Sequence, residues 1–308
     1  VRVLLLFLDG VGIGKADDRI NPFFSARLPN MSDLLDGEVP HRGFRRFHNK
    51  RATLVPVNAT LGIPGLPQSG TGQASIFTGV NAAGMIGRHF GPYPATSLRP
   101  LLEAKNIFRQ LQDRGKSVCF ANAFPRQFFE YVETGTRRLT VTTLSCQFAG
   151  VPLRRLAELR ADRAVSADLT RHRWLEGGEP ELSTIPAQRA GQHLAKLAAD
   201  YDFTLFEYWL TDHAGHSQKM EEAVEVLERF DEFLGGLLQH LDFDKTLLVL
   251  ISDHGNIEDL STKSHTRNPV PCIAVGRGHH EFSARIKNLT HITPAVVTAI
   301  CEHDGSSA

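Results

Sequence analysis

Three short apolar runs, far apart in the chain, each lead into an aspartate, and stretches of helical periodicity lie between them. Val3–Leu8 runs into Asp9-Gly10, Phe203–Leu210 is followed by Asp212, and Thr246–Ile251 ends at Ser252-Asp253-His254-Gly255. Continuous apolar runs of this length suit strands buried on both faces, as in parallel sheets covered by helices. The helical stretches agree. Lys219–His240 sets Met220, Val224, Leu227, Phe230, Phe233, Leu234, Leu237 and Leu238 on one stripe. Pro186–Ala199, Asn106–Arg114 (ended by Gly115), Ile292–Cys301 and a short turn from Pro29 read as further helices, and Ser117–Ala121 and Val270–Val275 as further strands. The expected fold is α/β, with a mostly parallel central sheet sandwiched between helices.

The stretch from Phe124 to Leu182 is less regular. Thr140–Leu144 reads as a strand, Val151–Arg160 as a helix and Gly177-Gly178 as a turn. No Pro/Gly/Ser-rich linker marks its edges, so the expectation is one domain over 1–308 with a small cap or insert at about 124–182.

Charge narrows the partners. Lys plus Arg and Asp plus Glu both number 34, which excludes nucleic-acid binding driven by bulk charge. No apolar stretch is long enough to span a bilayer, so no membrane partner is expected. The four cysteines form no CxxC pair and read as thiols of a reducing, cytoplasmic compartment rather than zinc ligands. The oligomeric state is not legible.

Ligands of open α/β sheets bind beyond the carboxyl ends of the strands, where the three aspartates fall. One such aspartate is usually a cap. Three at one rim repel one another unless a cation lies between them. Two have histidine companions: Asp212 and His216 share a face if their segment is helical, and Asp253-His254 is followed by His265. Carboxylates with imidazoles and no thiolate suit Zn²⁺ or Mn²⁺. His279, His280 and His291 read as ordinary surface or core histidines. Ahead of a helical-looking Ala74–Thr78, Ser69-Gly70-Thr71-Gly72-Gln73 places hydroxyls at a helix start, where they serve as caps or, once deprotonated, as nucleophiles.

Taken in order, Asp9-Gly10, Ser69-x-x-Gly72, Asp212-x-x-Gly215-His216, Asp253-His254-Gly255-Asn256 and His265-Thr266-x-Asn268-Pro269-Val270-Pro271 resemble the alkaline phosphatase superfamily, most closely its cofactor-independent phosphoglycerate mutase and phosphopentomutase branch. Pro29-Asn30-Met31 is similar to a segment that follows the first metal ligand in many members. The resemblance implies two divalent ions, Mn²⁺ or Zn²⁺. Asp212, His216 and His265 would hold one, and Asp9, Asp253 and His254 the other, with the Ser69 oxygen on or between them. It implies Ser69 as nucleophile and a phosphoserine intermediate on a small phosphorylated substrate. Gln73 stands where that branch usually has His, which keeps Thr71 as the alternative nucleophile. Three carboxylates and an alkoxide would neutralise two such ions before a phosphate enters. Asn122, Arg88, His89 and Arg267 are candidates for substrate contact.

The superfamily holds hydrolases and mutases. Mutases of this branch carry a large second domain between the nucleophile and Asp-x-x-Gly-His. The interval from Ser69 to Asp212 has room for only a cap of about 50–60 residues beside its core elements. A mutase must also shield its phosphoenzyme from water. The main expectation is therefore a phosphatase or phosphoesterase, with a phosphomutase as the alternative. A non-catalytic metal-binding protein is a third reading, but none of the expected ligands is missing. Sulfatase chemistry is disfavoured because Ser69 lacks the Cys/Ser-x-Pro-x-Arg context. Gly10-x-Gly12-x-Gly14 fails the dinucleotide-binding spacing.

Overall fold

The structure, a computed structural model, describes residues 1–135, 137–178 and 182–301. Its strands are β1 (Arg2–Leu8), β2 (Phe47–His48), β3 (Ala52–Val57), β4 (Val118–Phe120), β5 (Phe203–Tyr208), β6 (Thr246–Ser252) and β7 (Val270–Gly276). They form one seven-stranded sheet in the order β2-β3-β7-β6-β1-β5-β4. From β6 through β1 and β5 to β4 the strands are parallel, whereas β7, β3 and β2 join antiparallel. The result is a three-layer α/β sandwich with a mixed sheet.

Alternation along β1 divides the core. Val3, Leu5 and Phe7 point into one apolar cluster with the helices Ser69–Thr78, Ile107–Gln112, Val141–Ala149 and Ile292–Cys301. Leu4, Leu6 and Leu8 point into the other, with Ala187–Ala198, Leu210–Ser217 and Met220–His240. The long helix also anchors the short one at Pro29–Leu34, which lacks a side-chain cap of its own. Asp231, buried on the long helix, accepts from the amides of Asn30 and Met31 at 3.0 and 2.8 Å and so caps it from across the interface. Among the described residues no helix is long and apolar enough to cross a membrane.

Four local expectations are corrected. Thr140–Leu144 is not a strand: Val141–Ala149 is a helix whose N-cap Thr140 accepts from the Thr143 amide, so capping and burial of Val141, Leu144 and Cys146 override a β-branched run. The helix expected over Val151–Arg160 spans only Leu156–Arg160, because Arg154 bridges Ala123 in extended backbone. The strand expected to reach Leu210 ends at Tyr208, where the chain turns at Trp209 into the next helix. Strand β3 lies within Asn21–Asn58, a stretch whose sequence reads as loops, and holds Pro56 opposite Pro271 of β7, so two missing N–H groups share one rung of the ladder.

Within the 124–182 stretch, 136 and 179–181 lie outside the described residues. Its helix Arg126–Thr134 buries no residue, Val141–Ala149 and Val151 join the main core, and Leu159, Ala164, Trp174 and Leu182 form a small apolar cluster with the neighbouring Ala123.

Candidate metal centre

The parallel register brings the acids together. Leu8 lies opposite Ser252 on one side and Tyr208 on the other, so Asp9 emerges beside Asp253 and ahead of the helix that carries Asp212. Two glycines permit the approach. Gly10 has φ +69°, and a Cβ there would stand 2.6 Å from Asp212 Oδ1. A Cβ on Gly72 would stand 2.8 Å from the Asp253 Cβ, so only glycine lets the helix Ser69–Thr78 close onto the strand end.

The loop after β6 returns His265 to the same rim. Glu258, fully buried, accepts from the Gly12 amide (3.0 Å), the Asn256 amide (2.7 Å), the Thr266 hydroxyl (2.5 Å) and the Asn268 side chain (2.9 Å). A bridge between Gly255 and Thr266 closes the loop.

All six expected ligands lie in one cluster. Donor atoms of Asp212, His216 and His265 fall within 4.8 Å of one another, as do those of Asp9, Asp212 and His254. Asp212 therefore belongs to both groups, where the sequence assigned it to one. Asp253 sits beside them, its Oδ2 3.6 Å from His254 Nε2.

Two observations test whether a cation fits. His216 Nδ1 lies 2.8 Å from the Lys263 carbonyl and His265 Nδ1 lies 2.8 Å from the Pro67 carbonyl, so both Nδ1 atoms carry hydrogens. The two Nε2 atoms then face each other at 3.2 Å, and a positive charge, proton or metal ion, must lie between them. In addition, Asp9 Oδ1 and Asp253 Oδ2 are buried without a hydrogen-bond partner. Asp9 Oδ1 is 3.3 Å from His254 Nε2 but outside hydrogen-bonding geometry. The donor set fits divalent cations.

The electrostatics agree. Burial, with Asp253 alongside, pushes the Asp9 carboxyl up to about 8. Burial also raises Asp253. Burial opposes charge on Asp212, yet hydrogen bonds from His216 and Asn256 and the charge of His254 hold it below the carboxylate range. Burial opposes charge on His254 too, but Asp253 and Asp9 take its pKa up to about 10. His265 is pushed down to about 4 by burial and by His254. The directions are those of crowded negative charge that a cation would relieve.

Ser69 opens its helix after a Gln68 N-cap that makes no side-chain bond, and its Oγ lies 2.9 Å from His254 Nε2. Thr71 is committed elsewhere: its hydroxyl donates to the Gln68 carbonyl and accepts from the Phe90 amide. Gln73 is buried, and its Oε1 has no partner.

The other sequence candidates are dispersed. The Asn122 amide donates to the Glu207 carbonyl and accepts from the Glu207 N–H, each at 2.8 Å, and so straps β4 to β5. Arg88 is exposed over the Phe90 ring and lines a cavity with Arg99, Arg137 and Arg138. His89 is half-buried, with its pKa lowered by burial. Arg267 donates to the Gly65 carbonyl.

Two acids beside the rim were missed. Glu258 ties its loops together. Glu207, near the end of β5, is buried, and burial together with Asp9 lifts its carboxyl to about 8. A lone acid inside the apolar run Phe203–Tyr208 was the available signal.

A family model described as the metalloenzyme superfamily matches residues 185–301. Two relatives named 2,3-bisphosphoglycerate-independent phosphoglycerate mutase are similar. That of Pyrococcus abyssi is 31% identical over 103 residues, 33% of this chain and 24% of its own length. That of Paracoccus denitrificans is 33% identical over 132 residues, 38% and 26% of the two chains. The matches span about a quarter of the length of these curated relatives. Two solved structures share the fold over nearly the whole chain. The alkaline phosphatase of the Antarctic bacterium TAB5 has TM-score 0.53 and 14% identity, covering 98% of each chain. A cold-active alkaline phosphatase of Shewanella sp. has TM-score 0.57 and 12% identity, covering 97% of this chain and 100% of the other.

Proposed function

We propose that this chain, similar over part of its length to cofactor-independent phosphoglycerate mutases and alike in fold to alkaline phosphatases, is a member of the alkaline phosphatase superfamily and moves a phosphoryl group from one hydroxyl to another through Ser69. The observation that carries the reading is the Ser69 hydroxyl, held at a helix start 2.9 Å from His254, at the rim where three carboxylates and three imidazoles converge.

Asp212, His216 and His265 would hold one divalent ion, and Asp9, Asp253 and His254 the second, with Asp212 within reach of both. Such ions, when bound, neutralise the phosphoryl oxygens and make a nearby hydroxyl more acidic. The chain does the rest. The Ser69 oxygen attacks phosphorus in line with the departing alcohol oxygen, and a second hydroxyl then displaces Ser69 by the same path. Ser69 stands at the N-terminus of the helix Ser69–Thr78, where the helix dipole favours negative charge. With only 6% of its surface exposed, Ser69 is screened from bulk water, as a phosphoenzyme that outlives substrate reorientation requires.

The relatives matched in sequence carry mutase names, which favours a hydroxyl acceptor over water. Hydrolysis is the second reading, supported by the short interval between Ser69 and Asp212, which is occupied by sheet-flanking helices and the small 124–182 cluster.

Phosphorus NMR of the Mn²⁺- or Zn²⁺-loaded protein with 3-phosphoglycerate and a panel of sugar phosphates tests the reading, with p-nitrophenyl phosphate alongside. Migration of phosphate on an unchanged carbon skeleton is expected, and Ser69→Ala should lose turnover by about three orders of magnitude or more while retaining its metals. Release of inorganic phosphate alone would replace the mutase reading with the hydrolase. Turnover surviving in Ser69→Ala but lost in Thr71→Ala would move the nucleophile.

A further inference from the structure

The proposed chemistry leaves unused a cavity of about 490 Å³ at the carboxyl ends of β4 and β5, within the size range of small-molecule sites. It adjoins the metal rim. Leu8 of β1 lies opposite Tyr208 of β5, so the rim residue Asp9 comes alongside Trp209, which lines the cavity, at the spacing of adjacent strands.

Its walls are aromatic and held in place. Phe124 and Phe128 pack with ring centres 4.3 Å apart and planes tilted by 33°. The Trp174 indole N–H donates to Ser166 Oγ at 2.9 Å, which fixes the ring. The Arg173 guanidinium lies 4.9 Å from the centre of the Trp209 ring. Asp168, buried, offsets the single guanidinium of Arg173, and Glu207, whose carboxyl burial favours in its neutral form, adds no positive charge, so the lining has no cationic excess. That balance disfavours a carboxylate or a second phosphate there, whereas rings on several sides favour a neutral flat group.

We propose that this cavity binds the alcohol portion of the phosphoester and that this portion carries a neutral planar aromatic ring. The substrate class is then an aromatic-bearing phosphoester rather than a small phosphorylated acid. This rests on the phosphoryl-transfer reading above and narrows it.

The test is calorimetric titration of the Mn²⁺-loaded full chain with phenylphosphonate and methylphosphonate, neither of which is turned over. Phenylphosphonate should bind at least about tenfold tighter in the wild type. Phe128→Ala should cut that preference about fivefold and leave methylphosphonate affinity unchanged. Phe128 lies on a helix that buries no residue, so the variant is expected to fold, and Phe124→Leu gives a second probe of the same wall. Equal affinities in the wild type would overturn the aromatic assignment while leaving phosphoryl transfer standing. A preference unmoved by both variants would remove it from this cavity. Binding of neither phosphonate, together with no turnover of p-nitrophenyl phosphate, would overturn the function and this inference together.

Discussion

The metal rim and the 124–182 stretch sit at the same edge of the sheet but are built in opposite ways. At the rim, Asp253, His254, Asn256 and Glu258 are fully buried, and the candidate ligands at three parallel strand ends are set by register. In 124–182 the helix Val141–Ala149 belongs to the main core, but the helix Arg126–Thr134 buries no residue, and Leu159, Ala164, Trp174 and Leu182 pack with Ala123 in a small cluster apart from that core. The rim tolerates little change because each ligand is placed by elements that also hold the core. The exposed helix Arg126–Thr134 can change without disturbing them, which suits a region that selects substrates.

The sharpest way to break the contrast is Asp212→Asn, because Asp212 belongs to both ligand groups. Loss of both ions is expected, where His265→Ala should lose one, as read by metal analysis of the purified proteins. Chelation should likewise lower the wild-type melting temperature, since metal at a hundredfold excess over Kd contributes about 2.7 kcal/mol. In Asp212→Asn the chelator should make little difference.

Glu258→Gln comes next. It replaces an acceptor of four hydrogen bonds with a group that turns an N–H₂ toward N–H donors. A loss of about 2–3 kcal/mol is expected in denaturant unfolding, with weaker metal binding as the His265 loop loosens. Unchanged metal affinity would show that the loop is held without it.

Glu207 gives a pH-dependent test in chelator. Its folded pKa of about 8 lies above the ordinary 4.5, so the folded state holds the proton more tightly. Below about pH 4.5 both states are protonated and this contribution to stability is fully present, and it is lost as pH rises toward 8. Glu207→Gln should therefore match the wild type at low pH and melt progressively higher than it between about pH 5 and 8. Parallel curves would reject the assignment.

The smallest effect belongs to the periphery. Arg126→Ala removes an exposed ion pair to Glu130 and should change stability by no more than about 0.5 kcal/mol. A loss as large as that of Glu258→Gln would erase the distinction between the two regions.

The central parallel strands and the long helix Met220–His240 were legible because each is a long run with one unambiguous period. That the six candidate residues would come together was legible because each acid or imidazole follows such a run or sits within a few residues of one. Thr140–Leu144 and β3 were misread because short segments carry conflicting local signals, a β-branched run in a capped helix and a proline in a strand, that only packing resolves.

By itself, then, the sequence determined which residues could meet: three acids at strand ends, their histidines and a hydroxyl at a helix start. Only the tertiary structure decided how they share the site. Parallel register set Asp9 beside Asp253, and close backbone approach at Gly10 and Gly72 brought Asp212 and the Ser69 helix onto that rim from opposite faces of the sheet. Burial of Glu207 and Glu258 was likewise settled by neighbours distant in the chain. Periodicity reports which way a side chain faces within its own element, whereas the partner it meets depends on how elements pack.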